Sequence, residues 1–172
     1  MSSLLTVFLS LGSNQGDREE TLKTAIDKLG ATPGIELEAL SPLFETAHIG
    51  PPAPDHLNCA LKITTLLPAE SLLFFCQKIE TELGRDRQNE ISWGARPIDI
   101  DIALYGDQKI QNDKLVIPHA RLVQRRFMLE PLAAIGGDVK VPGFDSTISE
   151  ILAWPSNQVE KVTKIKWTPE ED

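Results

Sequence analysis

The sequence predicts an α+β sandwich: an antiparallel sheet with two helices on one face and a functional site on the other. Three observations lead there. Apolar runs of strand length alternate with stretches of helical period in the order βαββαβ through position 105. The last of these strands carries isoleucines on one side and aspartates on the other, and six of the seven arginines crowd between positions 85 and 126. At 172 residues and 41% hydrophobic content, the chain suits one domain around one sizeable core. Residues 1–172 are therefore read as a single unit, with about 153–172 a tail that shows no period and is expected to be loosely held.

Taking the elements in order, Leu4 to Leu11 is a nearly continuous apolar run that ends at Gly12-Ser13-Asn14, as a buried strand would. Asp17 with Glu20 three residues later resembles a capping box, and Leu22, Ala25, Ile26 and Leu29 recur at helical spacing before Gly30. Extended chain returns from about Ile35 to Thr46, interrupted at Pro42. Gly50, Pro51, Pro52 and Pro54 then make the stretch from His48 to Pro54 an ordered loop. Leu57 to Leu67 reads as a strand. Pro68 fits the first turn of a second helix, whose stripe of Leu72, Leu73, Cys76, Ile79 and Leu83 stops at Gly84. After a polar loop over 85–95, Pro97 to Tyr105 alternates, with Ile98, Ile100 and Ile102 on one face and Asp99 and Asp101 on the other. Phe127 to Ile135 looks helical. The βαββαβ order is that of a ferredoxin-like sandwich, which places the isoleucines against the helices and both aspartates on the open face, their Cα atoms roughly 6 to 7 Å apart.

Composition narrows the chemistry. A net charge of −8 argues against general binding to nucleic acid or an anionic membrane, whose fields would be repelled. No apolar run is long enough to span a bilayer, and the N-terminus lacks the basic and apolar regions of a signal peptide, so a cytoplasmic protein is expected. Cys59 and Cys76 fall in apolar stretches and read as buried reduced thiols. The clustered arginines suggest an anion site for a small ligand. An ordinary solvated surface would also account for them.

Asp99 and Asp101 repel each other as neighbours unless a cation sits between them, and hard carboxylate oxygens select magnesium. Such a pair suits a metal on a nucleotide triphosphate, although an amphipathic strand with a solvated acidic side shows the same pattern. Arg85, Arg87, Arg96, Arg121 and Arg125 can supply planar forks for phosphate oxygens. No Gly-x-x-x-x-Gly-Lys-Ser/Thr loop occurs, so a nucleotide site must be of another design.

The run Trp93-Gly94-Ala95-Arg96-Pro97-Ile98-Asp99-Ile100-Asp101-Ile102 resembles the signature of the hydroxymethyldihydropterin pyrophosphokinases. The resemblance begins at Leu9-Ser10-Leu11-Gly12-Ser13-Asn14 and continues through Gly50-Pro51, Leu57-Asn58, and Glu80 with Gly84-Arg85 and Arg87. It then takes in Pro118-His119 and Arg125-Arg126-Phe127-Met128-Leu129, and so covers nearly all of the chain to about Leu152. It implies a transfer of pyrophosphate from ATP to 6-hydroxymethyl-7,8-dihydropterin in folate biosynthesis. Asp99 and Asp101 match the family's ligands for two Mg²⁺ ions, and Arg85, Arg87 and Arg96 join them as catalytic residues. By the same matching, Gln77, Glu80, Arg87, Trp93, Arg96, Lys114, His119 and Arg125 line the ATP side, with Ile102 and Val116 near the adenine. Thr46, Ala47, Ile49, His56, Asn58, Trp93 and Phe127 take the pterin.

A flat bicyclic pterin suits this set, since Phe127 can stack on its face while the Asn58 amide reads its edge. Plainer roles stand beside these: Asn58 as a turn residue, Phe127 as core, His119 as a helix-start residue, and Gly12 to Asn14 as turn chemistry. His56 stands where the family commonly has tyrosine or phenylalanine, and Ala120 where an aromatic often follows Pro-His. The loop from Arg87 to Trp93 is expected to close as a lid. A monomer with small-molecule substrates is expected. The rival readings are a metal-dependent phosphodiesterase, which needs no pterin pocket, and an RNA-binding sheet, which would show strand aromatics and a basic surface instead of aspartates.

Overall fold

The second face of the central sheet changes character halfway along its strands, and that change positions everything else. The computed structural model describes residues 4–48, 52–90 and 94–169. Strands β1 (Leu5–Ser13), β2 (Ile35–Leu40), β3 (Leu43–Thr46), β4 (His56–Thr65) and β5 (Asp99–Tyr105) come with helices α1 (Arg18–Gly30) and α2 (Ala69–Glu82). A small hairpin of β6 (Ile110–Gln111) and β7 (Val116–Ile117) follows, then helices α3 (Arg126–Gly136) and α4 (Ile148–Leu152) and strand β8 (Val162–Ile165). The main sheet is antiparallel in the order β5-β1-β4-β3-β8, and β2 also pairs with β4. Ser41 and Pro42 separate β2 from β3 as the proline predicted. The Ser41 hydroxyl accepts from the Ala60 amide at 2.8 Å, which ties the break to β4.

Local signals explain the helices. The Asp17 side chain accepts the Glu20 N–H and caps α1, whose Leu22, Ala25, Ile26 and Leu29 are buried. Proline precedes the first turn of α2, where no N–H is needed, and Leu72, Cys76 and Ile79 face the sheet. Together with Val7, Leu9, Leu11, Leu57, Cys59, Leu61, Ile98, Ile100 and Ile102 they form the larger of two apolar clusters. Burial there pushes the Cys59 thiol up to about 12 and the Cys76 thiol higher than usual, so both stay protonated.

Two expectations are corrected. Helices do not lie on one face alone: α3 packs on the opposite face, where Met128, Leu129 and Leu132 meet Phe8, Ala60 and Leu104. The strands show why. Ser10, Gly12, Asn58, Asp99 and Asp101 occupy one end of that face, whereas Phe8, Ala60 and Leu104 occupy the other, which must be covered. For the same reason the strict alternation of β5 stops after Ile102, and Ala103, Leu104 and Tyr105 are all buried. A register shift between Phe8 and Leu9 accommodates the change.

The tail is likewise not loose. Val162–Ile165 pairs with β3, Trp167 Nε1 donates to the Ser41 carbonyl at 2.9 Å, and Asn157 is buried, donating to the Val123 and Ile151 carbonyls. Four residues of edge strand are too few to show a period. Among the described residues, no helix is long and apolar enough to cross a membrane. A chain ending at Lys161 should lose about 2 kcal/mol or more of stability, since it strips the ladder from β3 and the Trp167 bond from Ser41. An unchanged urea midpoint would refute this pairing.

Candidate active site

The polar end of the second face forms the floor of a cleft of about 460 Å³, a size suited to a small organic ligand. Register builds that floor. Gly12 of β1 lies between Asp99 of β5 and Asn58 of β4, and Ser10 lies beside Asp101. A Cβ on Gly12 would meet Asn58 Oδ1 at 2.9 Å, so glycine keeps the floor concave and the amide in place. Asn58 sits in mid-strand, not in a turn; it is buried and donates to Thr46 Oγ1 at 2.8 Å, which orients its amide. Thr46, Ala47, His56, Asn58 and Phe127 line this cleft with Arg85, Arg87, Arg96, Asp99, Asp101, His119 and Arg125.

A second recess of about 220 Å³ opens on the other side of Asp101, lined by Gln77, Ile102, Lys114 and Val116. Arg87, Asp101, His119 and Ala120 border both spaces. The residues expected on the pterin and ATP sides thus fall mostly into two adjoining compartments, with Asp101 on their shared wall. Arg96 and Arg125 depart from that division, since both line the first cleft alone, and Arg125 lies with Phe127, its Cζ 4.5 Å from the ring centroid. Ile49 and Trp93, with Ile91 and Ser92 of the expected lid, lie outside the described residues.

Glu80 requires a correction, because it lines neither space. Its side chain is 1% exposed beneath β5. There Oε2 accepts the Ile100 N–H at 2.8 Å and Arg85 Nη1 at 2.5 Å, while Oε1 accepts Arg87 Nη2 at 2.7 Å. The family resemblance placed Glu80 on the ATP side, but packing turns it toward the free edge of β5. Arg85, expected as a fork for phosphate, is only 3% exposed and also binds Glu90 and Asp99 Oδ1. Burial disfavours its charge, yet Glu90, Asp99 and Glu80 more than offset this and hold the guanidinium protonated above its usual range. Arg87 and Arg96 are the more open cations, with Arg96 Nη1 3.7 Å from Asp99 Oδ2.

Burial, the neighbouring Asp99 and then Glu80 push the Asp101 carboxyl well above the usual range. About a third of its side chain still opens into the cleft, with His119 Nε2 3.7 Å away. His119 Nδ1 accepts the Arg121 N–H, so the neutral ring carries its proton on Nε2, and burial lowers its pKa. Two carboxylates that resist joint ionisation are a fitting donor set for a divalent cation. Among the described residues, no third His, Cys, Asp or Glu completes a metal cluster.

Sequence reasoning missed four residues. Asn14, read as turn chemistry, is fully buried; its Oδ1 accepts the Arg96 N–H at 2.8 Å, and its amide donates to His48 Nδ1 and the Pro54 carbonyl. This fixes the amide orientation and makes His48 Nδ1 an acceptor, so His56 Nε2, 3.1 Å away, is the donor in a stacked pair. Glu90 lay unnoticed in a polar loop. Glu160 lay in the tail, and it binds Arg125 at 2.8 Å. Only Asn14 had a sequence signal, since it falls within a run already quoted for the resemblance.

A sequence profile of the 7,8-dihydro-6-hydroxymethylpterin-pyrophosphokinase (HPPK) family matches residues 8–137. The chain belongs to this family. The 2-amino-4-hydroxy-6-hydroxymethyldihydropteridine pyrophosphokinase of Methylorubrum extorquens is 41% identical over 147 residues, covering 85% of this chain and 90% of that protein. The Bacillus subtilis protein of the same name is 40% identical, covering 74% of this chain and 76% of its own length. The bifunctional protein FolKE of Lactococcus lactis is 43% identical over 74% of this chain, which spans only 36% of that relative. In fold, the chain is similar to the Plasmodium falciparum HPPK-DHPS structure with pterin and p-hydroxybenzoate. The TM-score is 0.68 at 14% identity, over 88% of this chain and 43% of the longer one.

These buried and titratable side chains make two predictions. Glu80→Ala should destabilise the fold by about 3–5 kcal/mol, because it leaves the buried Arg85 charge short of a partner; a melting temperature within a degree or two of the parent would refute the buried cluster. Burial, His48 and the cations of Arg125 and Arg96 depress the His56 pKa, with only Asp99 opposing them. A depressed histidine gives stability that is full above the unfolded value of about 6.5 and is lost as pH falls through it toward the folded pKa. Between pH 7.5 and 5.5 the parent should therefore lose more melting temperature than His56→Phe, and parallel losses would contradict the shift.

Proposed function

We propose that this chain transfers pyrophosphate from ATP to 6-hydroxymethyl-7,8-dihydropterin, forming AMP and the pterin diphosphate in folate biosynthesis. The observation that carries this reading is the meeting of two compartments at Asp101, next to Asp99 on the floor of the first. One is lined by Phe127, Asn58 and Thr46 for a flat heterocycle; the other, lined by Ile102, Val116, Lys114 and Gln77, suits a base and its phosphates. The names of the full-length relatives support the same activity. We read the fold as ferredoxin-like, because β2 and β3 act as one interrupted strand beside β4 and give the order of a βαββαβ sheet. The chain is read as one domain, acting as a cytoplasmic monomer on small molecules.

In this mechanism the pterin hydroxymethyl oxygen forms a bond to the β-phosphorus as the bridging oxygen to the α-phosphorus leaves with AMP. Asn58, oriented by Thr46, holds the pterin edge while Phe127 stacks on the ring. Arg87 and Arg96 neutralise charge that develops on phosphate oxygens, and Arg85 acts from beneath by fixing Asp99. Asp99 and Asp101 would hold two Mg²⁺ ions, which when bound supply charge neutralisation at the triphosphate. Their like-charge strain without a cation supports that assignment.

Incubation with ATP, Mg²⁺ and the pterin alcohol should yield AMP and a product heavier by two phosphates. A gain of one phosphate, or AMP formed without pterin, would overturn the reading. Asp99→Ala and Asp101→Ala should each cut turnover by about a thousandfold or more, roughly 4 kcal/mol. Pterin affinity without nucleotide should hold for both, and the melting temperature should hold for Asp101→Ala, whose truncation opens no core cavity, whereas Asp99→Ala should lower it because the buried Arg85 loses a partner. Retained turnover would remove the carboxylates from catalysis.

A further inference from the structure

Helix α3 begins at Arg126, and its cap residue Arg125 makes no side-chain hydrogen bond to the first turn. The donor left by that gap is met from 33 positions along the chain: Glu160 Oε1 accepts the Phe127 N–H at 2.8 Å. The other oxygen, Oε2, accepts both Nε and Nη2 of Arg125, at 3.1 and 2.8 Å. One carboxylate therefore grips the backbone of the residue that offers a ring to the cleft and the side chain of the cation above that ring. The pair is mostly covered, with 23% and 19% of the Arg125 and Glu160 side chains exposed, so solvent screens it less than a surface ion pair. Glu160 is itself held in place. Val162, two residues on, pairs with Thr46 at the cleft wall, and Arg126 Nη1 donates to the Glu160 carbonyl at 3.2 Å.

We propose that Glu160 is a positioning residue that sets Arg125 and Phe127 for pyrophosphoryl transfer, an inference that rests on the reaction proposed above. Its bonds use the Nε and Nη2 edge of the guanidinium and present the Nη1 end to a ligand. Removing the carboxylate has two opposed effects on phosphate binding, because the fork loses its fixed place while its charge loses its neutralising partner. Ground-state affinity then changes little, and the loss appears in turnover, where a preorganised cation acts most strongly.

The test compares the full chain with Glu160→Gln, Glu160→Ala, Arg125→Ala and the Arg125→Ala/Glu160→Gln pair. Turnover, the KM for ATP, calorimetric pterin affinity and melting temperature are measured for each. Glutamine keeps an acceptor for the Phe127 N–H, so E160Q should stay folded with pterin affinity within about twofold, lower kcat about tenfold or more, and leave the KM for ATP unchanged or lower. E160A should weaken pterin binding about fivefold beyond E160Q, as the Phe127 backbone loses its anchor. In the Arg125→Ala background E160Q should cost less than about twofold more, since its effect runs through that arginine. A parent-like kcat for E160Q, or the same loss with and without Arg125, overturns the positioning role even if E160A fails to fold. A parent chain that neither binds the two substrates nor forms the diphosphate overturns the underlying reading instead.

Discussion

The buried carboxylate of Glu80 is the constraint on which the site depends. β5 lies at the end of the sheet order, so the Ile100 N–H that turns away from β1 has no strand to pair with. Glu80 reaches from α2 to accept it, and with its remaining capacity takes Arg85 and Arg87. A single side chain therefore fixes the separation of helix and strand, secures the start of the loop after α2, and holds a cation beside Asp99. Satisfying a backbone donor at a sheet edge and balancing the aspartates are the same event. Burying several charges in this way is tolerable only because every member has hydrogen-bonded partners.

The reversal of polarity on the second face is equally physical. Strand alternation sends residues to two faces but does not say whether a face is open or covered. The aspartates of β5 marked their end as polar. Phe8, Ala60 and Leu104 mark the other end as apolar, and α3 answers them with Met128, Leu129 and Leu132. The site is thus a sheet face left bare where the helix stops, walled by the residues at the helix start, Arg125 and Phe127.

Much of this was legible in the sequence. The capping at Asp17, the stripe of α2, the break at Pro42 and the Ile-Asp alternation of β5 are local signals, and each produced its element. What could not be read depends on contacts between distant positions. Asn14 looks like a turn residue until Arg96, 82 positions away, brings its N–H to it. Glu160 sits in a segment with no period, and its meaning arises only when β8 zips onto β3. Glu80 was recognised as belonging near the site, but spacing on a helix could not say that it faces the edge of β5 instead of the cleft. The second layer of helix was missed for a related reason: Phe8, Ala60 and Leu104 come from three separate strands, and only their assembly makes a hydrophobic surface.

The rims of the main sheet bear on how molecules of this kind meet one another. A bare strand edge is a template for intermolecular pairing. Here β5 is sealed from within by Glu80, β2 is kinked by a register shift between Leu37 and Ala39 and carries Glu36 and Glu38, and β8 presents Lys164. Crowded molecules would confront carboxylates, an ammonium group and an irregular backbone where a flat ladder would recruit a neighbour. These features of the three rims make edge-to-edge stacking, the first step toward fibrillar aggregation, an unfavourable encounter.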